Sequence, residues 1–330
     1  MKKVYLILGS GGVGKTTVAA ALGLALAEKQ KGALFTVDPS MRLCQTLGLE
    51  KLSLKPSVLS DGNLEAYGLE VHDGLRVILE KVIKDPERVQ KVIQHRLFNI
   101  IEGNISHLEH FLAMDKVVEL VERNDLDFLV VDTPPHDQAF EFFETPKVLS
   151  NFLDKAFLRI LLDPNLPEDG IISRFIGKAL QEGWKLFRSL LGEGFWEELS
   201  VLLQDLMPLR ERLVFASERM NKLLHDSNTQ AILVSVPESN PLRVAQALSV
   251  DWKNKLGVNV ESLILNRSFP EGLVLPPDLS QTLFYQKWLT QNKLMQGEWF
   301  KSFHKVHRLS PLSPFEMNLE KLQEMGRELC

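Results

Sequence analysis

Residues 4–17 read VYLILGSGGVGKTT, and this stretch constrains the chain more than any other. It starts as the short apolar run Val4-Tyr5-Leu6-Ile7-Leu8, which reads as a buried parallel strand. It turns through Gly9-Ser10-Gly11-Gly12-Val13-Gly14 and predicts a helix opening at Lys15. Residues 9–16 match the phosphate-loop pattern G-x-x-x-x-G-K-[ST]. Glycines let backbone N–H groups close around a phosphate chain, because a Cβ would block that approach. A helix starting at the loop adds the positive end of its dipole. In such a loop Lys15 reaches the β- and γ-phosphates of ATP and Thr16 ligates Mg²⁺. A glycine-rich turn that binds nothing is the alternative, but strand, loop and helix stand in the order the motif requires.

The rest of the chain supplies an α/β frame. Residues 33–37 (ALFTV) form a second apolar strand ending in Asp38-Pro39, which sets a carboxylate at a strand's C-terminal edge, where α/β sheets bind ligands. The strand 128–131 (FLVV) delivers Asp132 in the Walker B manner, a buried strand carrying a carboxylate to the Mg²⁺ shell. Residues 231–236 and 260–265 give a fourth and a fifth strand, with a crossover helix over 242–256 between them. Nearly ninety residues separate the second and third strands, and their apolar spacing is helical. The expected architecture is therefore α/β: a mostly parallel P-loop sheet with helices on both faces. The length of 330 residues allows one large domain with insertions or two domains, and the expectation is a single ATPase domain over 1–330, with a helical subdomain built from two insertions at about 60–120 and 150–225. The second insertion carries a heavy apolar load, including Trp184, Phe187, Phe195 and Trp196.

Charge and cysteine usage narrow the partners. A net charge of −5 argues against nucleic acid as the main partner. Cys44 and Cys330 lie far apart and form neither a disulfide framework nor a zinc set, which suits a reducing cytoplasm. No segment reaches about 18 uncharged apolar residues, so no membrane span is expected.

The loop GSGGVGKTT resembles the GKGGVGKTT loop of the deviant Walker A ATPases, with Ser10 at the place of the lysine that reaches the other subunit's nucleotide. Further stretches resemble one branch, the arsenite-pump and tail-anchored-protein-targeting ATPases, in its bacterial single-domain form. Residues 36–43 (TVDPSMRL) resemble switch I, and Asp132-Thr133-Pro134-Pro135-His136 resembles switch II. Residues 111–116, 140–152, 234–244 and 311–316 resemble the family's flanking segments. Met41 and Arg42 stand where the targeting branch has small and histidine residues.

The resemblance implies roles. Gly11, Gly12, Val13, Gly14 and Lys15 hold phosphates, Thr17 sits beside the α-phosphate, and Thr16 and Asp132 serve Mg²⁺. Asp38 orients or activates the attacking water, with capping of the following turn as the structural alternative. Asn266 reads adenine, with a plain turn role as its alternative, and Pro314 and Phe315 cover the base. It also implies a homodimer, or a heterodimer with a related ATPase, that captures a hydrophobic client protein as nucleotide state changes. The cysteines that bind arsenite in the pump subunit, and the dimer-bridging zinc pair of the eukaryotic targeting factors, are missing from the sequence. Two rival readings remain. One is a weakly hydrolysing scaffold subunit, motivated by Ser10. The other is a MinD/ParA-type partitioning ATPase, disfavoured because the tail helix carries Glu316, Glu320, Glu324 and Glu328 rather than a basic face.

Overall fold

The computed structural model describes residues 2–38, 41–69, 71–95, 108–135, 142–143, 193–269, 273, 283–294, 297–310 and 318–330. Its frame is an eight-stranded sheet of β1 (Lys3–Gly9), β2 (Gly32–Thr36), β3 (Ser57–Leu59), β4 (Leu64–Gly68), β5 (Phe128–Asp132), β6 (Thr229–Ser235), β7 (Ser262–Leu265) and β8 (Lys305–Arg308). The spatial order is β3-β4-β2-β5-β1-β6-β7-β8. Every pairing is parallel except that of β3 with β4. The chain leaves β1 toward β2 on one side and later returns to β6 on the other. That reversal opens a crevice beyond the strands' carboxyl ends, where α/β sheets bind ligands.

The central strands read as near-continuous apolar runs because both their faces are covered. Leu6 and Leu8 of β1 enter one core, with Phe35, Val131, Phe111 and Trp252. Their neighbours Tyr5 and Ile7 enter the other, with Val18, Phe128, Val130 and Leu322. On the first face lie α3 (Val71–Val82), α4 (Pro86–Gln94), α5 (Leu108–Glu122), α6 (Glu193–Leu224) and α7 (Ser239–Leu256). On the second lie α1 (Lys15–Leu26), α2 (Arg42–Leu47) and the C-terminal helix, which is α9 after α8 (Leu283–Leu294) and spans Leu319–Arg327. Asp85 starts α4 by accepting from the N–H groups of Glu87 and Arg88, with Pro86 in the first turn. The buried Asp115 of α5 ion-pairs with Arg212 of α6, which ties the long helix to the one that leads into β5.

The structure departs from the sequence reading within 60–120. That stretch was expected to be helical, yet β4 occupies 64–68 and pairs in parallel with β2. Its sequence, LEAYG, carries a glutamate in a fully buried strand, which hides the apolar run. Glu65 is tolerated there because Arg123 and the Tyr67 hydroxyl bind its carboxylate, holding it below the usual carboxylate range. The edge strand β8, KVHR, was also unforeseen, since only one of its residues is apolar. Much of the second insertion, residues 150–192, lies outside the described residues, including Trp184 and Phe187.

Candidate functional site

The loop between β1 and α1 is held in shape by its glycines. Gly14 has φ +94°, in the left-handed region, and a Cβ there would stand 2.2 Å from Asn266 Nδ2. Gly12, at φ +79°, and Gly11 face open space instead, with nothing within 4 Å of where a Cβ would stand. That opening is what approach by a phosphate chain requires. Lys15, the first residue of α1, is 8% exposed. Its ammonium donates to the carbonyl oxygens of Gly9 (3.0 Å) and Ser10 (2.9 Å). Burial lowers its pKa, Asp132 and then Asp38 pull it back up, and the nearby Arg42 pushes it down again.

Asp132, the last residue of β5, sits beside β1 on one side and opposite Thr36 of β2 on the other. Its Oδ2 accepts hydrogen bonds from Thr16 Oγ1 (2.8 Å) and Thr36 Oγ1 (3.0 Å). Its Oδ1 is buried and has no hydrogen-bond partner among the described residues. Desolvation pushes its pKa up to about 6 against the opposing pull of the two hydroxyls and Lys15. A buried carboxylate oxygen without a partner, next to a threonine hydroxyl, fits the outer shell of a hard divalent cation such as Mg²⁺. Thr133 turns the other way and donates to the Ile7 carbonyl (2.7 Å), which fixes the chain as it leaves β5.

A cleft of about 350 Å³ opens over this floor. Gly12, Gly14, Lys15, Thr16, Thr17, Asp38 and Asp132 all line it, so most of the expected site residues converge. Val13 is buried beneath the loop, and its carbonyl accepts from Asn266 Nδ2 (2.9 Å). Asn266 Oδ1 in turn accepts from the Arg267 N–H (3.0 Å), so both ends of this amide are engaged against the back of the loop. Pro314 and Phe315 lie outside the described residues. Arg42, named in the sequence only as a departure within the switch I stretch, lines the cleft as well. Gln45 and Thr46 of α2 also line it and went unread. So did Thr36, the second hydroxyl on Asp132. Its position as the last residue of β2, just before the acidic turn, was the available signal.

The fold and the site together define a P-loop nucleotide-binding protein: a parallel sheet, a glycine loop opening a helix, and a buried acid on the adjacent strand. The family model described as Anion-transporting ATPase matches residues 2–330, and the chain belongs to that ArsA-type ATPase family. Among its relatives is an Aquifex aeolicus protein proposed as arsenical pump-driving ATPase 2, 26% identical over 82% of this chain and 81% of its own length. The ATPase ASNA1 homolog of Entamoeba dispar is 23% identical over 81% of this chain and 77% of its own length. The ATPase GET3 of Malassezia globosa is 22% identical over 97% and 85%.

Proposed function

We propose that the chain binds ATP with Mg²⁺ and hydrolyses it to ADP and phosphate, working as a cytoplasmic dimeric switch that couples nucleotide state to a hydrophobic client or partner protein. The observation that carries the ATPase part is the convergence on Asp132: two threonine hydroxyls and a free carboxylate oxygen, set beneath a glycine loop gripped by Lys15. Thr16 and Asp132 hold the cation, whose charge offsets that on the phosphate oxygens. Gly11, Gly12, Val13 and Gly14 present backbone N–H groups, and Thr17 flanks the α-phosphate. Lys15 exchanges the Gly9 and Ser10 carbonyls for phosphate oxygens. Asp38, on the cleft wall, accepts the proton of the attacking water. The further assignment, that Asn266 reads the adenine and that Pro314 and Phe315 cover the base, is carried by the family resemblance.

Residues 1–330 act as one ATPase domain in this reading. Ser10 favours slow turnover, because a hydroxyl donates a hydrogen bond but supplies no charge to the transferred phosphoryl group. For the same reason a second reading stands beside the first: a weakly hydrolysing subunit that pairs with a related ATPase.

Titration with ATP·Mg²⁺ tests the core of the proposal. Lys15→Ala removes charge-assisted contacts worth about 1.5–3 kcal/mol, so its affinity should fall roughly tenfold or more. Equal affinities for wild type and variant would sink the assignment.

A further inference from the structure

We propose that Arg42 is a second cation of the hydrolytic site: when ATP arrives, its guanidinium leaves Asp38 Oδ2 for the γ-phosphate, and the attacking water takes its place at that oxygen. This rests on the ATPase reading above. Arg42 is the first residue of α2 and lines the same cleft as Lys15, Thr16 and Asp132. Among the described lining residues, Lys15 and Arg42 are the two with a permanent positive charge. Arg42 Nη1 stands 3.5 Å from Asp38 Oδ2. It is also near enough to Lys15 to depress that residue's pKa.

The stability of α2 does not account for an arginine at this place. A cation in a helix's first turn opposes the helix dipole, and α2 has no side-chain cap to offset it. The arginine side chain is 63% exposed and the Asp38 side chain 22% exposed. Exposed ion pairs of this kind are weak. A terminal phosphate carries more negative charge than one carboxylate and offers the guanidinium fork two oxygens at once. The exchange from Asp38 to phosphate therefore runs downhill. It couples two events that hydrolysis needs together, since the Asp38 oxygen that faces the guanidinium cannot at the same time face the attacking water.

In the step itself, the water oxygen forms a bond to the γ-phosphorus as the bond from phosphorus to the β–γ bridging oxygen breaks. The electron pair of that bond stays on the ADP oxygen, and the water proton passes to the Asp38 carboxylate. Arg42 is unchanged and compensates charge on the γ-phosphoryl oxygens throughout.

The test compares wild type, Arg42→Ala, Arg42→Gln and Arg42→Lys for affinity to ADP, affinity to a non-hydrolysable ATP analogue, and steady-state phosphate release. Arg42→Ala should keep ADP affinity within about twofold, weaken the analogue about tenfold and lower kcat about 10²–10³-fold. Arg42→Lys should recover at least about tenfold of that kcat loss, and Arg42→Gln should not. Wild-type kcat and an unchanged analogue-to-ADP affinity ratio in Arg42→Ala would overturn the proposal. So would losses in which ADP and the analogue suffer equally and lysine does no better than glutamine, because α2 would then need Arg42 for structure only. If wild type itself neither binds nor hydrolyses ATP, the ATPase reading falls, and that result is separate from the Arg42 comparison.

Discussion

Asp132 shows how a single side chain can be expensive for the fold and necessary for the site. Its carboxyl is fully buried, one oxygen lacks a partner, and its pKa stands at about 6 instead of 3.8. The folded, nucleotide-free protein therefore holds a proton that the unfolded chain has already released between about pH 4 and 6. Where the unfolded state binds fewer protons, stability falls as pH rises. That difference corresponds to about 3 kcal/mol, lost across that window and not recovered above it. Asp132→Asn removes the titration while keeping an oxygen for the Thr16 and Thr36 hydroxyls. Urea unfolding of the two proteins without nucleotide or Mg²⁺ should show the asparagine variant gaining on wild type from pH 4 to pH 6.5, by up to that amount, and losing Mg²⁺-dependent hydrolysis. Stability curves that run parallel with pH would refute this account of the Asp132 environment.

At the scale of elements, the helix that carries the phosphate loop is braced from behind. The C-terminal helix α9 lies against α1 and buries Leu322 and Met325, joined by Leu329 just beyond its end, in the core that also holds Val18, Ala21 and Leu22. The two backbones approach so closely that a Cβ on Gly326 would stand 1.9 Å from the Ala21 carbonyl oxygen. Arg327 adds an ion pair to Glu28 beyond the end of α1 (2.7 Å). Gly326→Val should therefore force the helices apart and destabilise the protein by about 1–3 kcal/mol, as overpacking does. Because α1 positions Lys15 and Thr16, ATP affinity should fall with it at temperatures where the variant remains folded. Thermal unfolding followed by nucleotide titration checks both. An unchanged midpoint would mean that α9 does not sit on α1 in solution. None of this coupling was legible in the sequence, where the tail read only as a last helix rich in glutamate. Loop, Walker B strand and acidic turn were legible, because each has a local pattern that chemistry dictates. Glu65 hid β4 because its partner Arg123 is distant in sequence, and the Thr36–Asp132 bond depends on strand register, which no local window contains.

For the whole molecule, the question is what completes the site. Next to the cleft the described residues leave an open surface: Gly11 and Gly12 are exposed, and Met41, which precedes Arg42, is 51% exposed although apolar. Charge compensation at phosphate is strongest where water is excluded, so an open rim leaves Lys15 and Arg42 working against solvent. A second body seated over the loop would remove that water, and in the dimeric reading proposed above it is another copy of this chain. Light scattering should then report a doubled mass with a non-hydrolysable ATP analogue and Mg²⁺, and a smaller mass with ADP. Phosphate release per chain should rise with protein concentration until the dimer saturates. Met41→Asp, which places a charge on an exposed apolar residue next to Arg42, should weaken the association without replacing a phosphate-binding residue. A mass that stays at one chain with the analogue, together with a per-chain rate independent of concentration, would rule out the homodimer. The heterodimeric reading would then remain, in which a related ATPase covers the rim and supplies the charge that Ser10 lacks.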